Sequence, residues 1–423
     1  MCRSIGSPAP DTDPAVAGSL LSSRPTGPAS QLAQRGWSAA VVGGSVLWLL
    51  VRVIVSAISL LVLRLTGGAS LTDRAGRAAA GDGGTGFFAV LHHWDSNFFL
   101  SIASDGYFSR SAPPGMAGFF PGYPMVGRWL DWLLTLGEPT NTSLAVSLWL
   151  ISAASSLITA VVFWRLVEVI EPNGVAALTT LLLLAGPYSI FLYANYSEGL
   201  FLVFAVAGWY CAVQDRWWLA GGWCALATAT RINGCFLVAA LVVMYVLRRR
   251  RDGRALLAPS SGWILVAPTG VLAYFSYLAV HTGDVFAWNT AQAQGWGRGL
   301  HWPWQAFYQT AGRVLYASTL DRRLQFALDI LFAAVISTAV VVWIRRRDWA
   351  PAVYAGLTLM ALTTSFTFVS LARNSVTLFP LVILLARTVR GTKRRWARTL
   401  LIGCWVGLFL LNSTLFALGY WAD

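Results

Sequence analysis

The residues best suited to chemistry are a short polar string, His92-His93-Trp94-Asp95-Ser96, and three charged side chains far from it in sequence, Glu198, Arg231 and Arg373. Ionisable groups beside apolar, bilayer-length segments are costly and are usually kept for function. Asp95 offers a carboxylate that could take the proton of an attacking hydroxyl. Followed by Ser-Asn-Phe-Phe-Leu, it could equally start a short helix as its N-cap. Glu198 closes the turn Asn195-Tyr196-Ser197-Glu198, and Asn195-x-x-Glu198 also fits a capping box. Arg231 and Arg373 suit a phosphate, because a guanidinium presents a planar fork of donors to it. A structural ion pair or an interfacial arginine is the alternative. His92 and His93 could contact phosphate or orient the acid, or be ordinary polar loop residues.

Composition says what must position these groups. The chain has 423 residues, 56% hydrophobic and 12% charged, with a mean hydropathy of +0.60. A soluble domain carries roughly 25% charged residues. Half that, with repeated apolar runs, predicts an all-α, multi-pass transmembrane protein and not an alternating outer-membrane barrel. The net charge of +13 does not imply nucleic acid. The arginines crowd into Arg248 to Arg251, Arg345 to Arg347 and the stretch from Arg387 to Arg398, each directly after an apolar run, as cytoplasmic topology anchors do. The five cysteines lack metal-ligand spacing and read as small buried hydrophobes, so neither a disulfide nor a metal site is expected.

Residues 1–36 are rich in Pro, Ser, Gly and Ala and are expected to form a disordered cytoplasmic tail. The membrane domain, 37–423, opens with an apolar run from Ala39 to Leu65, too long for a signal-peptide core. Further spans are expected near 143–168, 175–194, 198–213, 217–231, 233–247, 260–281, 324–344, 349–371, 374–389 and 399–420, about eleven in all. The stretch 119–136, with two prolines, Arg128 and Asp131, reads as amphipathic or partly re-entrant. Eleven crossings put the arginine clusters inside and the loops 66–142 and 282–323 outside. Glu198, Arg231 and Arg373 then fall on the face that carries Asp95. A competing count makes 119–136 a full span and fuses 217–247 into one helix, which moves Glu198 and Arg231 away from the outer face. That fused helix would be about 46 Å long, against a hydrocarbon core of about 30 Å, and would bury Arg231 in mid-span. The break is preferred.

All four histidines then face outward, with Trp94, Trp288, Trp296, Trp302 and Trp304. Interfacial tryptophans are ordinarily membrane anchors, though a few beside an acid could stack on sugar rings. In the loop 282–323, Gln292, Gln294, Trp296, Arg298 and His301 could line a groove for an acceptor.

Five strings, in order, carry a family resemblance: Trp94-Asp95-Ser96 with Phe99, Ile102-Ala103 and Gly106-Tyr107; Phe119-Phe120-Pro121-Gly122-Tyr123-Pro124; Tyr196-Ser197-Glu198-Gly199-Leu200-Phe201; Thr230-Arg231-Ile232-Asn233-Gly234; and Arg373 with Phe379-Pro380. The chain resembles the PIG-V-type mannosyltransferases of the glycosyltransferase C superfamily. Gly122 stands where that family usually has a larger residue, and Asn374 where an aromatic is common.

The resemblance implies transfer of mannose from a polyprenyl-phosphate-mannose donor to a glycolipid, lipoglycan or glycan hydroxyl outside the membrane, without a cofactor. It makes Asp95 the base of an inverting reaction and puts His92, His93, Trp94, Tyr123, Glu198, Arg231, Trp296, His301 and Arg373 around the substrates. No nucleotide-binding glycine pattern is present, in keeping with a lipid-phosphate donor. The partners implied are that donor, the acceptor and the lipid bilayer. Alternatives are a transporter or flippase of a lipid-linked sugar, or a transferase for another polyprenyl-phosphate-linked sugar. A transporter would often show matching inverted repeats, and the two long loops differ in length and content.

Overall fold

The computed structural model describes residues 29–66, 86–110, 112–113, 115–171 and 174–420, and these form helices and turns with no strand among them. In chain order the helices are α1 (Ala29–Thr66), α2 (Asp95–Asp105), α3 (Gly122–Leu134), α4 (Asn141–Ile170), α5 (Ala176–Leu184), α6 (Glu198–Val213), α7 (Trp217–Thr230) and α8 (Asn233–Arg251). They continue with α9 (Pro259–Thr282), α10 (Ala287–Trp296), α11 (Pro303–Tyr316), α12 (Leu320–Arg345), α13 (Trp349–Thr363), α14 (Leu371–Asn374), α15 (Phe379–Gly391) and α16 (Arg395–Ala417). The helix α1 begins at Ala29, upstream of the tail boundary expected at residue 36; the rest of that tail and residues 67–85 of the first loop lie outside the described residues.

Each of the eleven expected segments contains a helix, but they differ in kind, and 185–194 and 364–370 leave the α-helix. Five helices, α1, α4, α9, α12 and α16, are long and apolar enough to cross a membrane; Leu371–Thr377 and Phe379–Gly391, bent by 83° to each other, form a broken span or a re-entrant loop. Between these lie shorter helices: α5 with 9 residues, α6 with 16, α7 with 14 and α13 with 15. The shortness has a cause. Polar turns interrupt the apolar runs at 185–197 and at Arg231-Ile232. Backbone that leaves the helix at membrane depth must be buried in protein or line a cavity, and both breaks are.

The fused helix 217–247 is not formed. Arg231 is extended (φ −154°, ψ 150°) and separates α7 from α8. The hairpin closes tightly: a Cβ on Gly234 would lie 2.6 Å from Thr228 N and 2.7 Å from Ala227 C. Gly122 has a similar reason. A Cβ there would stand 2.7 Å from Thr230 Oγ1 and 2.9 Å from Ala229 O, so a larger residue has no room against α7.

The bundle has two distinct ends. At one, Asn195 Nδ2 donates to Ala145 O at 2.9 Å, and Ser152 Oγ donates to Tyr196 O at 3.3 Å. These bonds bring the first half of α4 to the start of α6. At the other, Arg248 near the end of α8 donates to Ala212 O (2.7 Å) and Val213 O (3.0 Å) at the end of α6. There too Arg387 of α15 donates to Glu171, just beyond α4, at 2.8 Å. The starts of α6, α8 and α15 therefore share one end, and Arg248 and Arg387 lie at the opposite one.

The stretch 119–136 is an amphipathic helix. In α3, Tyr123, Pro124, Gly127 and Asp131 are buried while Trp129, Trp132, Leu133 and Leu134 are exposed. Asp131 accepts from Ser143 (3.2 Å) and Ser147 (3.0 Å) of α4, and Thr140 and Ser143 form a capping box that opens α4.

Because the nearest neighbours of Gly234 are backbone atoms, they cannot yield to an added methyl. Gly234→Ala is expected to lower stability by about 1–3 kcal/mol, read as a fall in melting temperature of the purified protein in detergent. An unchanged melting temperature would show that the hairpin is looser than this packing requires.

Candidate active site

Four charged groups from four separate segments meet at the first of these ends. Arg373 Nη1 donates to Asp95 Oδ2 at 2.7 Å, and Arg373 Nε donates to Glu198 Oε1, also at 2.7 Å. Arg231 Nη1 reaches the same Glu198 oxygen at 2.9 Å and Ser197 Oγ at 2.8 Å. Two carboxylates and two guanidiniums cancel in formal charge. Their side chains are nearly removed from solvent: Glu198 at 0%, Arg373 at 5%, Arg231 at 15% and Asp95 at 17% exposure.

Neither acid is the helix cap that its sequence suggested. Asp95 is the first residue of α2, Trp94 holds the cap position, and no side chain caps the helix. Glu198 opens α6, with Ser197 as an uncapped N-cap, while Asn195 turns away to Ala145 O and His92 Nδ1. In both cases the carboxylate is drawn to an arginine, because a buried carboxylate needs a full opposite charge, which a guanidinium supplies and a backbone N–H does not.

Local backbone and packing aim these groups. Trp94 carries φ 49° and Ser370 φ 65°, left-handed conformations that cost of order 1–3 kcal/mol in a non-glycine residue and persist only where surroundings enforce them. Trp94 is wedged against His93 and Phe416, and Tyr196 Oη donates to His93 O at 3.0 Å. The Arg373 guanidinium packs against the adjacent rings of Phe191 (4.8 Å) and Tyr196 (4.7 Å), so cation–π contact holds it as well as its hydrogen bonds.

A cavity of about 750 Å³ adjoins the cluster. Asp95, Ser197, Arg231, Arg373 and Asn374 line it together with Phe119, Phe236, Trp288, Trp296 and Leu362. It thus joins a charged wall to an aromatic and aliphatic one. Of the other residues expected at the site, Trp296, Gln292 and Arg298 line this cavity. Arg298 Nη1 donates to Gln292 Oε1 at 3.0 Å, and Gln292 Nε2 to Gly118 O at 3.1 Å. Glu198 lies behind the lining, beneath the arginines.

His92, His93, Trp94, Tyr123 and His301 do not line the cavity. His301 pairs through its backbone with Thr364 O and its ring meets Phe366, while Gln294 is exposed. Tyr123 is fully buried and shares its hydroxyl with Leu148 O and Ser152. Burial lowers His92 to a pKa of about 4, and burial with the neighbouring His92 lowers His93 to about 3. Both imidazoles are therefore neutral near pH 7 and supply no cation to a phosphate.

Sequence reading missed Asn374 and Asn233. Asn374 Oδ1 accepts from Arg231 Nη2 and from Asn233 Nδ2, each at 3.4 Å. The signal was the replacement of an aromatic by a short amide directly after Arg373.

The buried histidines give a pH dependence of stability. Their folded pKa values lie below the unfolded value of about 6.5, so below that pH the unfolded chain binds protons that the fold refuses. Stability is complete above about pH 6.5 and falls toward pH 4, by at most about 1.4 kcal/mol per pH unit per histidine. His92→Asn, which keeps an acceptor for Asn195, is expected to shrink the fall in melting temperature between pH 7 and pH 5. An equal fall in both proteins would contradict it.

Residues 81–251 match the family model described as mannosyltransferase (PIG-V). The GPI alpha-1,6-mannosyltransferase 2 of Mus musculus is 31% identical over 157 residues, covering 35% of this chain and 30% of that one. That of Rattus norvegicus is 31% identical over 160 residues, covering 36% and 31%. The chain thus spans about a third of the length of the curated relatives it matches. Among solved structures, the archaeal oligosaccharyltransferase AglB from Archaeoglobus fulgidus, in complex with an inhibitory peptide and a dolichol-phosphate, is similar at 12% identity. It has a TM-score of 0.41, over 88% of this chain and 55% of that one. An Archaeoglobus fulgidus oligosaccharyltransferase complex with Zn and sulfate shows 13% identity and a TM-score of 0.45 over 88% and 53%. The family match contains Asp95, Glu198 and Arg231 and four of the five motifs. Across residues 81–251 the chain is therefore related in sequence to the PIG-V mannosyltransferases.

Proposed function

We propose that this protein is a membrane mannosyltransferase that moves mannose from a polyprenyl-phosphate carrier to a hydroxyl of a glycolipid, lipoglycan or glycan. The observation that carries this reading is that one carboxylate, Asp95, and one partly accessible guanidinium, Arg231, line the same cavity. The acceptor hydroxyl attacks the anomeric carbon and gives its proton to Asp95. The bond from that carbon to the phosphate oxygen breaks, and polyprenyl phosphate leaves with the electron pair. Attack from the face opposite the phosphate inverts the anomeric configuration. The curated relatives are named mannosyltransferases, which supports mannose as the sugar.

Geometry divides the two arginines. Arg373 donates to both Asp95 and Glu198 and packs against two aromatic rings, so its part is to orient Asp95. Arg231 is the more open of the two, and the leaving phosphate is its natural partner. The aromatic and aliphatic wall suits a prenyl chain or a sugar face. Topology supports the extracytoplasmic side: the arginine-rich helix ends, which favour the cytoplasm, lie at the opposite end of the bundle. Eleven crossings with an external first loop carrying Asp95 accommodate this arrangement.

Asp95→Asn keeps the shape and an acceptor for Arg373 but removes the base. The rate of mannose transfer from purified polyprenyl-phosphate-mannose is expected to fall about 10²- to 10⁴-fold, with donor binding and melting temperature kept. The wild-type product should have inverted configuration. A folded Asp95→Asn protein working at near wild-type rate would remove Asp95 from the reaction.

Arg231→Gln is expected to weaken donor binding roughly ten- to a hundred-fold, the loss of a charge-assisted hydrogen bond worth about 1.5–3 kcal/mol. Titration with the unglycosylated polyprenyl phosphate measures this directly. Unchanged affinity would place the phosphate elsewhere.

A further inference from the structure

We propose that Asp329 is a positioning residue for Arg373 and, through it, for Asp95; this rests on the transfer reaction proposed above. Asp329 lies in α12 at 1% exposure. A carboxylate so deep in an apolar helix is retained only where it has partners, and within membrane segments it is usually functional. It does not line the cavity. Its Oδ1 instead accepts from Ala372 N at 2.8 Å.

Ala372 directly precedes Arg373 in the four-residue turn α14. That turn follows Ser370 in its left-handed conformation and has no side-chain cap of its own. The first backbone N–H groups of a helical turn need an acceptor from outside it, and Asp329 supplies one from across the bundle. A second buried acceptor steadies the approach to the turn: Thr310 Oγ1 of α11 accepts from Phe368 N at 2.9 Å. Arg373 is thus fixed from behind by α12 while its guanidinium is fixed in front by Asp95 and Glu198. Loss of the rear anchor frees the turn, and a misplacement of about 1 Å can cost 10²-fold in rate.

The test compares purified full-length protein in detergent carrying Asp329→Asn, which keeps the acceptor oxygen, with Asp329→Leu, which is of similar size and has none. Asp329→Asn should retain transfer within about three-fold of wild type. Asp329→Leu should lower kcat about 10²-fold, with affinity for polyprenyl phosphate unchanged, because Arg231 is untouched. Should the leucine variant not fold, Asp329→Ala takes its place. In an Arg373→Lys background the same substitution at 329 should add less than about three-fold, since contacting groups in one network are not additive. Wild-type kcat in the leucine variant, or a full additive loss on Arg373→Lys, would overturn the proposal. If the wild-type protein itself moves no sugar from polyprenyl-phosphate-mannose, the transfer reading has failed, a result distinct from an inert Asp329 in a working enzyme that Arg373→Lys impairs.

Discussion

The structure depends on charge compensation out of water. Asp95, Glu198, Arg231 and Arg373 are almost fully buried, and none could be kept there alone. Together they sum to zero. A buried ion pair contributes little net stability, yet removing one partner typically costs about 3–5 kcal/mol, because the other is left uncompensated. The cluster therefore acts as a constraint on geometry. It requires that the start of α2, the start of α6, the α7–α8 break and the turn α14 reach one place, and the short helices and tight glycine contacts are how the chain meets that requirement.

The same constraint leaves one charge available. Glu198 holds both arginines through a single oxygen, but it lies behind them and touches no cavity space. Arg373 is enclosed by rings and acids. Arg231 keeps an edge toward the cavity, beside Ser197 and Asn374. A phosphate arriving there meets a cation that needs no rearrangement, while the carboxylate of Asp95 stays oriented by a guanidinium that does not have to move. This is the preorganisation that makes fixed charges effective in a water-poor site. The strained backbone at Trp94 and Ser370 fits the same picture, since each precedes one member of the Asp95–Arg373 pair.

Much of this was legible in the sequence. Arg231 cannot sit in the middle of a bilayer-length helix without great cost, which fixed the break between α7 and α8. The arginines after α8 and α12 and within α15 marked one end of the bundle. The order of motifs pointed to Asp95, Glu198, Arg231 and Arg373. What sequence could not show depends on partners distant along the chain. Whether Asp95 caps α2 or pairs with Arg373 is decided by a residue 278 positions away. His92 and His93 were open as phosphate contacts until their burial was known. The expectation of uniform spans missed that α5, α6, α7 and α13 are short, because hydropathy alone does not say where a helix may stop inside protein. Asp329 gave no signal, being a carboxylate in an apolar helix that accepts from a backbone amide far along the chain.

The central claim is that a lipid-linked sugar phosphate occupies the cavity with its phosphate on Arg231 and its anomeric carbon toward Asp95. A cryo-electron-microscopy structure of the protein in lipid nanodiscs with a non-transferable polyprenyl-phosphate-mannose analogue tests it most directly. Phosphate oxygens are expected within about 3 Å of the Arg231 guanidinium, with the prenyl chain along the aromatic and aliphatic wall and Asp95 still held by Arg373. A phosphate bound at the arginine-rich opposite end of the bundle, or a sugar turned away from Asp95, would contradict it.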